Sequence, residues 1–440
     1  VSQISLILDF AQDFCRGPSN PVSYPPMKRL FYTIIGIAAV VAMMLIVVLS
    51  SSGELRIVRG TPKAPLNVGN YYDDVVEHRT KRMMVQPKDI IATGRTAPDV
   101  PPLVEPTFVS VDEALAQNFL HTDLDGLQLF DGEKYRFYPL EILAWHELVF
   151  DRIGDMPIVV SYAPLSDSFY AFETRDHDFG YSGYVFNNTS LILDRVSNTL
   201  YSPLLNKGVY GKESGRTMKV YPSSVIPWEI FAQSHPDGMV LSSETGFAFP
   251  YEVSPYGGYL VSKALIFPNA HASNGARLAK NGLFGISHDG GAKAFDFVTI
   301  VKESGGVKND AFGGKAFVVW VDKYGALHAN ERGDERFVRA EEEALIDEDG
   351  NRWTFDPLFH TLTFGEDVRA FVPSVRLFWF VWAATFPETE IYGVVRGQGL
   401  VDGTFVAQEA SSDDGVRIEV DEDALKAGQA TIEIEASIEE

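Results

Sequence analysis

His146 and Glu147 stand side by side in AWHELVFD (144–151), at the end of an apolar run, with Asp151 four residues beyond the glutamate. An imidazole beside carboxylates can hold a metal or act as a general base. The H-E-x-x-H arrangement, which puts two imidazoles on one helix face, is absent because Phe150 occupies the second position. A metal set assembled through the fold from His146, Glu147, His177 and Asp167 is the remaining metal reading, with His146 and His177 as its imidazoles. A second chemistry is nucleophilic. Ser166 and Ser168 follow an apolar strand and a Pro-Leu turn, where loops often carry reactive groups. With His146 as base and Glu147, Asp151 or Asp167 to orient it, a Ser–His–acid relay can be written. No G-x-S-x-G elbow accompanies it. Tyr162, His177 and Arg195 complete the candidate set as binding residues. Walker, G-x-G-x-x-G and EF-hand patterns are missing, and the cofactor is unknown.

Two segments would position these groups. LQLFDGEKYRFYP reads as two strands around an Asp-Gly turn, and PLEILAWHELV as a helix with proline at its first position. PIVVSYAP, SFYAFET, YSGYVFN and SLILDR read as further strands. The order then returns: GISHDGGAKAFDFVTIVKESGGVKNDAFGGKAFVVWV parallels LFDGEKYRFYPLEILAWHELVFDRIGDMPIVVSY, and WFVWAATFP parallels WEIFAQSHP. The expected fold is α+β and β-rich, in two pseudo-repeated mixed α/β halves, residues 107–245 and 246–395, preceded by one transmembrane helix. Residues common to both copies (Asp151 and Asp310, Asp194 and Asp347, Asn198 and Asn351, Trp228 and Trp379) are read as scaffold. His146, Glu147, Tyr162, Ser166, Asp167, Ser168, His177 and Arg195 belong to the first copy alone.

From Leu30 to Leu49 no residue is charged, and about 20 apolar residues span a bilayer as a helix. Lys28 and Arg29 precede the run, so a signal-anchor over 30–50 is expected, with residues 1–29 cytoplasmic and the rest exported; a signal peptide cleaved at the Ser50–Ser52 cluster is the alternative. Either that tail is real or Met27 is the start. The location this implies is the cytoplasmic membrane, single pass, with the C-terminal part in the periplasm or at the cell surface. Residues 51–106 read as a stalk or a wrapped arm and 396–440 as an acidic extension with an edge-strand pattern. The only cysteine, Cys15, precedes the anchor, so the exported part has no thiol chemistry. The charge of −23, from 37 basic and 60 acidic residues, excludes a nucleic-acid binder, which needs clustered cations. Membrane contact through 30–50 and an envelope protein are the expected partners.

YPLEILAWHELVFDRIGDMPIVVSYAPLSDSFYAF, FGYSGYVFNNTSLILDRVSNTLYS and WEIFAQSHP resemble the uncharacterised prokaryotic family "domain of unknown function 3179", over about residues 110–395. The resemblance implies Cys-Pro-Leu-Cys where this chain reads Ala163-Pro164-Leu165-Ser166. A metal or redox role of those thiols would be lost here. The family carries no established reaction. The reading reached is a non-enzymatic binding or envelope-assembly module, with a metal-dependent or hydrolytic enzyme around His146 as the alternative.

Overall fold

The computed structural model describes residues 84–392, apart from 122–123, 272–277 and 289–290. The expected anchor at 30–50, the start of the stalk and the acidic extension lie outside the described residues. Among the described residues no helix is long and apolar enough to cross a membrane.

Strand-forming alternation dominates, and the strands assemble into six sheets of three to five strands in a six-blade, propeller-like arrangement. The first sheet orders Ser224–Pro227, Asp125–Phe130, Tyr135–Pro139, Met239–Leu241 and Phe108–Ser110. The second orders Leu103–Val104, Leu148–Ile153, Met156–Ala163 and Ser168–Glu173; the third, Ile90–Ala92, Phe179–Phe186, Thr189–Asp194, Thr199–Ser202 and Lys207–Tyr210. A second set follows in the same sequence. The fourth sheet orders Ser374–Phe378, Gly282–His288, Gly291–Phe295 and Glu390–Tyr392. The fifth holds Val307–Phe312, Lys315–Val321 and Leu327–Glu331, and the sixth runs from Phe337–Glu341 to Asp367–Arg369. In sheets one and four the last-arriving strand pairs in parallel, Met239 with Arg136 and Glu390 with Lys293. The remaining ladders of these two sheets are antiparallel.

The chain is β-rich, as expected, and its helices are minor: the five α-helices described, such as Leu140–His146 and Trp379–Thr385, are each seven or eight residues long. Of the two forms expected for 51–106, stalk or wrapped arm, the described part is the wrapped arm. Ile90–Ala92 pairs with Phe179–Phe186, and Leu103–Val104 pairs in parallel with Leu148–Ile153. Two- and three-residue strands leave no periodic signal to read. The helix Leu140–His146 starts one residue after Pro139, which serves as its N-cap.

The largest core cluster joins Leu148, Phe172 and Tyr201 of the first set to Trp379, Phe380 and Trp382 of the second. Aromatic burial of this size dominates the stabilisation of such a core. It also makes the border expected near residue 245 a line through a shared interior. Shared clamps join neighbouring sheets in each set. Arg136 of sheet one reaches Asp151 of sheet two at 2.8 Å; Lys293 of sheet four reaches Asp310 of sheet five at 2.9 Å. Gly154 and Gly313 follow these aspartates three residues on, both at φ 56°, the left-handed turn that glycine adopts without steric cost.

Candidate functional site

The helix Leu140–His146 ends because Glu147 takes φ 55° and turns the chain into the strand Leu148–Ile153. His146 is 0% exposed. Its Nδ1 lies 2.6 Å from the Pro101 carbonyl oxygen, which can only accept, so Nδ1 carries the proton. Its Nε2, 2.6 Å from the Tyr251 hydroxyl, then accepts. The Tyr251 oxygen in turn lies 2.5 Å from the Thr245 hydroxyl. Burial holds the imidazole below its ordinary pKa, against the Pro101 carbonyl that favours protonation. The ring stands at the last residue of the helix Leu140–His146. Glu147 points elsewhere: its carboxylate accepts from Tyr256 at 2.7 Å and from Ser190 at 2.8 Å. Burial raises its pKa, opposed by those two hydroxyls and by Arg95.

Ser166 and Ser168 are fully buried and bonded to each other at 2.7 Å, and Ser166 also bonds the Ala163 carbonyl. Both nitrogens of His146 and the Ser166 hydroxyl are therefore engaged with other groups. The relay written from the sequence has no Ser–His bond to run on, and the set around His146 gathers no carboxylate onto the ring.

Asp167 behaves differently. It sits at φ 51° in the turn between Met156–Ala163 and Ser168–Glu173. The Tyr162 hydroxyl donates to its Oδ1 at 3.1 Å. Arg376, on the strand Ser374–Phe378, lies 3.5 Å from its Oδ2 and 2.5 Å from Asp125 Oδ2. Burial raises the Asp167 pKa; the guanidinium opposes this and the neighbouring Asp125 charge adds to it. Asp125, Asp167 and Arg376 edge a cavity of about 540 Å³ lined by Leu127, Phe169, Leu283, Phe284 and Phe378 among others. Apolar walls with a few convergent polar groups are the usual make-up of a small-ligand site. A neighbouring cavity of about 620 Å³ shares Phe169, Ser374 and Val375 with it but lacks the charged cluster.

The remaining candidates are outside this cavity. His177 stacks on Phe179 at 4.6 Å and faces Asp194 in the third sheet. Arg195 pairs with Asp178 at 2.5 Å with both side chains more than half exposed, an ion pair worth little. Asp125 and Arg376 were missed by the sequence reading. Arg376 lies in the second half, from which no candidate was drawn, and its partner is 251 positions away. The signal was present: Arg376 pairs with Phe284 where Val225 pairs with Leu127, a charge unique to the second copy.

Fold and cavity together define a six-sheet β-protein with one charged cluster set into an apolar chamber between its two sets of sheets. The chain belongs to the family described as "Protein of unknown function (DUF3179)", whose profile it matches over residues 98–389. No curated protein and no solved structure matches the chain.

Proposed function

We propose that the chain is a membrane-anchored, extracytoplasmic binding module, and that its ligand seat is the chamber edged by Asp125, Asp167 and Arg376. The observation that carries this reading is the asymmetric cluster itself. Arg376 is satisfied by Asp125, whereas Asp167 Oδ2 has only the longer 3.5 Å contact. A ligand with an apolar body and an amino group fits this arrangement. Its body replaces water along the apolar wall, and its cation meets the one loosely paired carboxylate. Calorimetry and thermal shift against apolar amines and matched carboxylic acids test it. Amines should bind and stabilise the parent, by about 2.7 kcal/mol at a hundredfold excess over Kd, and Asp167→Asn should abolish that. Preferential binding of the acids, or of neither, sinks the reading.

Support for the anchor and the exported location is the uncharged run from Leu30 to Leu49 behind Lys28 and Arg29. The two sets of sheets are read as an internal duplication that formed the chamber, and an envelope protein is the proposed macromolecular partner. Cell fractionation with protease added outside the membrane checks the location. Recovery of the chain in the soluble cytoplasmic fraction would refute it.

A further inference from the structure

His177 has a side chain only 6% exposed, yet its Nδ1 is buried without a hydrogen-bond partner. Leaving a buried polar atom in that state is costly, so what it faces matters. It faces Asp194 Oδ2 at 3.5 Å. One ligand atom each from His177, Asp194 and Glu213 lies within 4.8 Å of the others. We propose that these three side chains form a divalent-cation site of zinc type on the third sheet, separate from the chamber and independent of the ligand reading.

The surroundings fit an ion better than an ordinary polar network. Asp194 is held rigidly: its Oδ1 takes the amides of Asp178 and Val196, and its Oδ2 the Ser197 hydroxyl at 2.6 Å. Tyr201 donates to Glu213 Oε2 at 2.7 Å. Hydroxyls of this kind orient metal-binding carboxylates from behind. Arg216 is the competing cation, 2.8 Å from Glu213 Oε1, but it also lies 3.5 Å from the exposed Asp176. It can pass to that carboxylate when an ion takes its place. Ligand atoms now within 4.8 Å of one another must close to about 3.4 Å for tetrahedral zinc at roughly 2.0–2.2 Å, with water completing the shell. One imidazole with two carboxylates favours zinc over calcium, which prefers an all-oxygen shell.

The counterpart in the second set is closed. Asp347 Oδ2 takes the Trp353 indole N–H and the Asn351 amide, each at 3.0 Å. The same turn oxygen thus has two ordinary donors in the second set, and in the first has only the Ser197 hydroxyl beside an imidazole nitrogen without a hydrogen-bond partner.

The test uses the full chain, stripped with chelator and titrated with zinc chloride, beside His177→Ala and Glu213→Gln. One equivalent should bind the parent, and each variant should weaken it by at least about tenfold while its circular dichroism stays that of the parent. Should His177→Ala fail to fold, Glu213→Gln decides alone. No saturable zinc binding in the parent overturns the proposal. So does equal affinity in parent and variants, or calcium competing as well as zinc.

Discussion

The two sets of sheets agree where neighbours are tied together and differ where the chamber opens. In both, a cation of the first sheet clamps an aspartate of the next, Arg136 to Asp151 and Lys293 to Asp310. Around the chamber the correspondence fails position by position. By ladder register, Asp125 pairs with Pro227 where Gly282 pairs with Phe378, and Tyr162 pairs with Phe169 where Val321 pairs with Leu327. The left-handed turn residue is Asp167 in one hairpin and Gly325 in the other. Arg376 stands opposite Phe284 where Val225 stands opposite Leu127. Each polar member of the cluster has an apolar or glycine counterpart. Around the chamber, what the two sets share is therefore scaffold, and what they do not share is the polar cluster.

The strongest way to break this comparison is at the shared tryptophans. Trp228 and Trp379 each open a short helix and are 3% and 0% exposed. Alanine at either should cost about 3–5 kcal/mol, read as a lowered denaturation midpoint. Trp379 belongs to the larger core, so its loss should be the greater. Its indole N–H has no partner, so Trp379→Phe should cost clearly less. A harmless Trp→Ala at one site alone would mean the copies are not held by equivalent cores.

The second test concerns acid. His235 and Phe386 close the corresponding helices. Burial depresses the His235 pKa to about 4, against the attraction of Asp322 and Asp237. In the unfolded chain the ring titrates near its ordinary value of about 6.5. Above that pH neither state gains a proton and the full stability is present; below it the unfolded state binds the proton first. Stability is thus lost as pH falls from about 6.5 toward 4, by roughly 3 kcal/mol at the lower end. His235→Phe, which imports the other copy's residue, should remove that loss and leave the midpoint near pH 7.5 within about 1 kcal/mol. An unchanged acid profile would show that His235 is not the sensitive group.

Much of this scaffold could be read from residues alone, for local reasons. LQLFDGEKYRFYP became Asp125–Phe130 and Tyr135–Pro139 around its Asp-Gly turn, because alternation and turn chemistry act over a few positions. The family resemblance carried by WHELVFD and its neighbours held as well. The chamber was largely hidden. Asp167 and Tyr162 were named, but nothing local links them to Asp125 or Arg376. His146 drew attention because imidazole beside carboxylate looks chemical, yet Pro101 and Tyr251, both distant in sequence, occupy its nitrogens. Comparing the copies in one direction only kept Arg376 out of view.

The clamps sharpen the comparison at a smaller scale. Asp151 also accepts from Tyr138 at 2.6 Å, whereas Asp310 otherwise takes the following amide of Ala311. Removing the cation therefore strands the second aspartate more completely. Breaking such a pair costs up to about 3–5 kcal/mol when fully buried; partial exposure here reduces that. Lys293→Met should cost about 2–3 kcal/mol and Arg136→Met about 1–2 kcal/mol. Chemical denaturation gives the order, and a reversed order would show that Tyr138 does not share the load.

The smallest effect expected is at the turn that separates the copies most directly. Asp167 holds φ 51° where its counterpart Gly325 holds φ 84°. Asp167→Gly relieves a left-handed strain of about 1 kcal/mol and loses the Tyr162 hydrogen bond, worth about 1 kcal/mol net. It also removes a buried carboxylate whose charge is disfavoured there. The terms nearly cancel, so the melting temperature should move by no more than a few degrees, while amine binding in the chamber disappears. If Asp167→Gly instead destabilises the chain by several kcal/mol, the aspartate belongs to the scaffold. Its difference from Gly325 would then reflect how each hairpin is built, and the chamber would lose its one loosely held charge as a reason to bind anything.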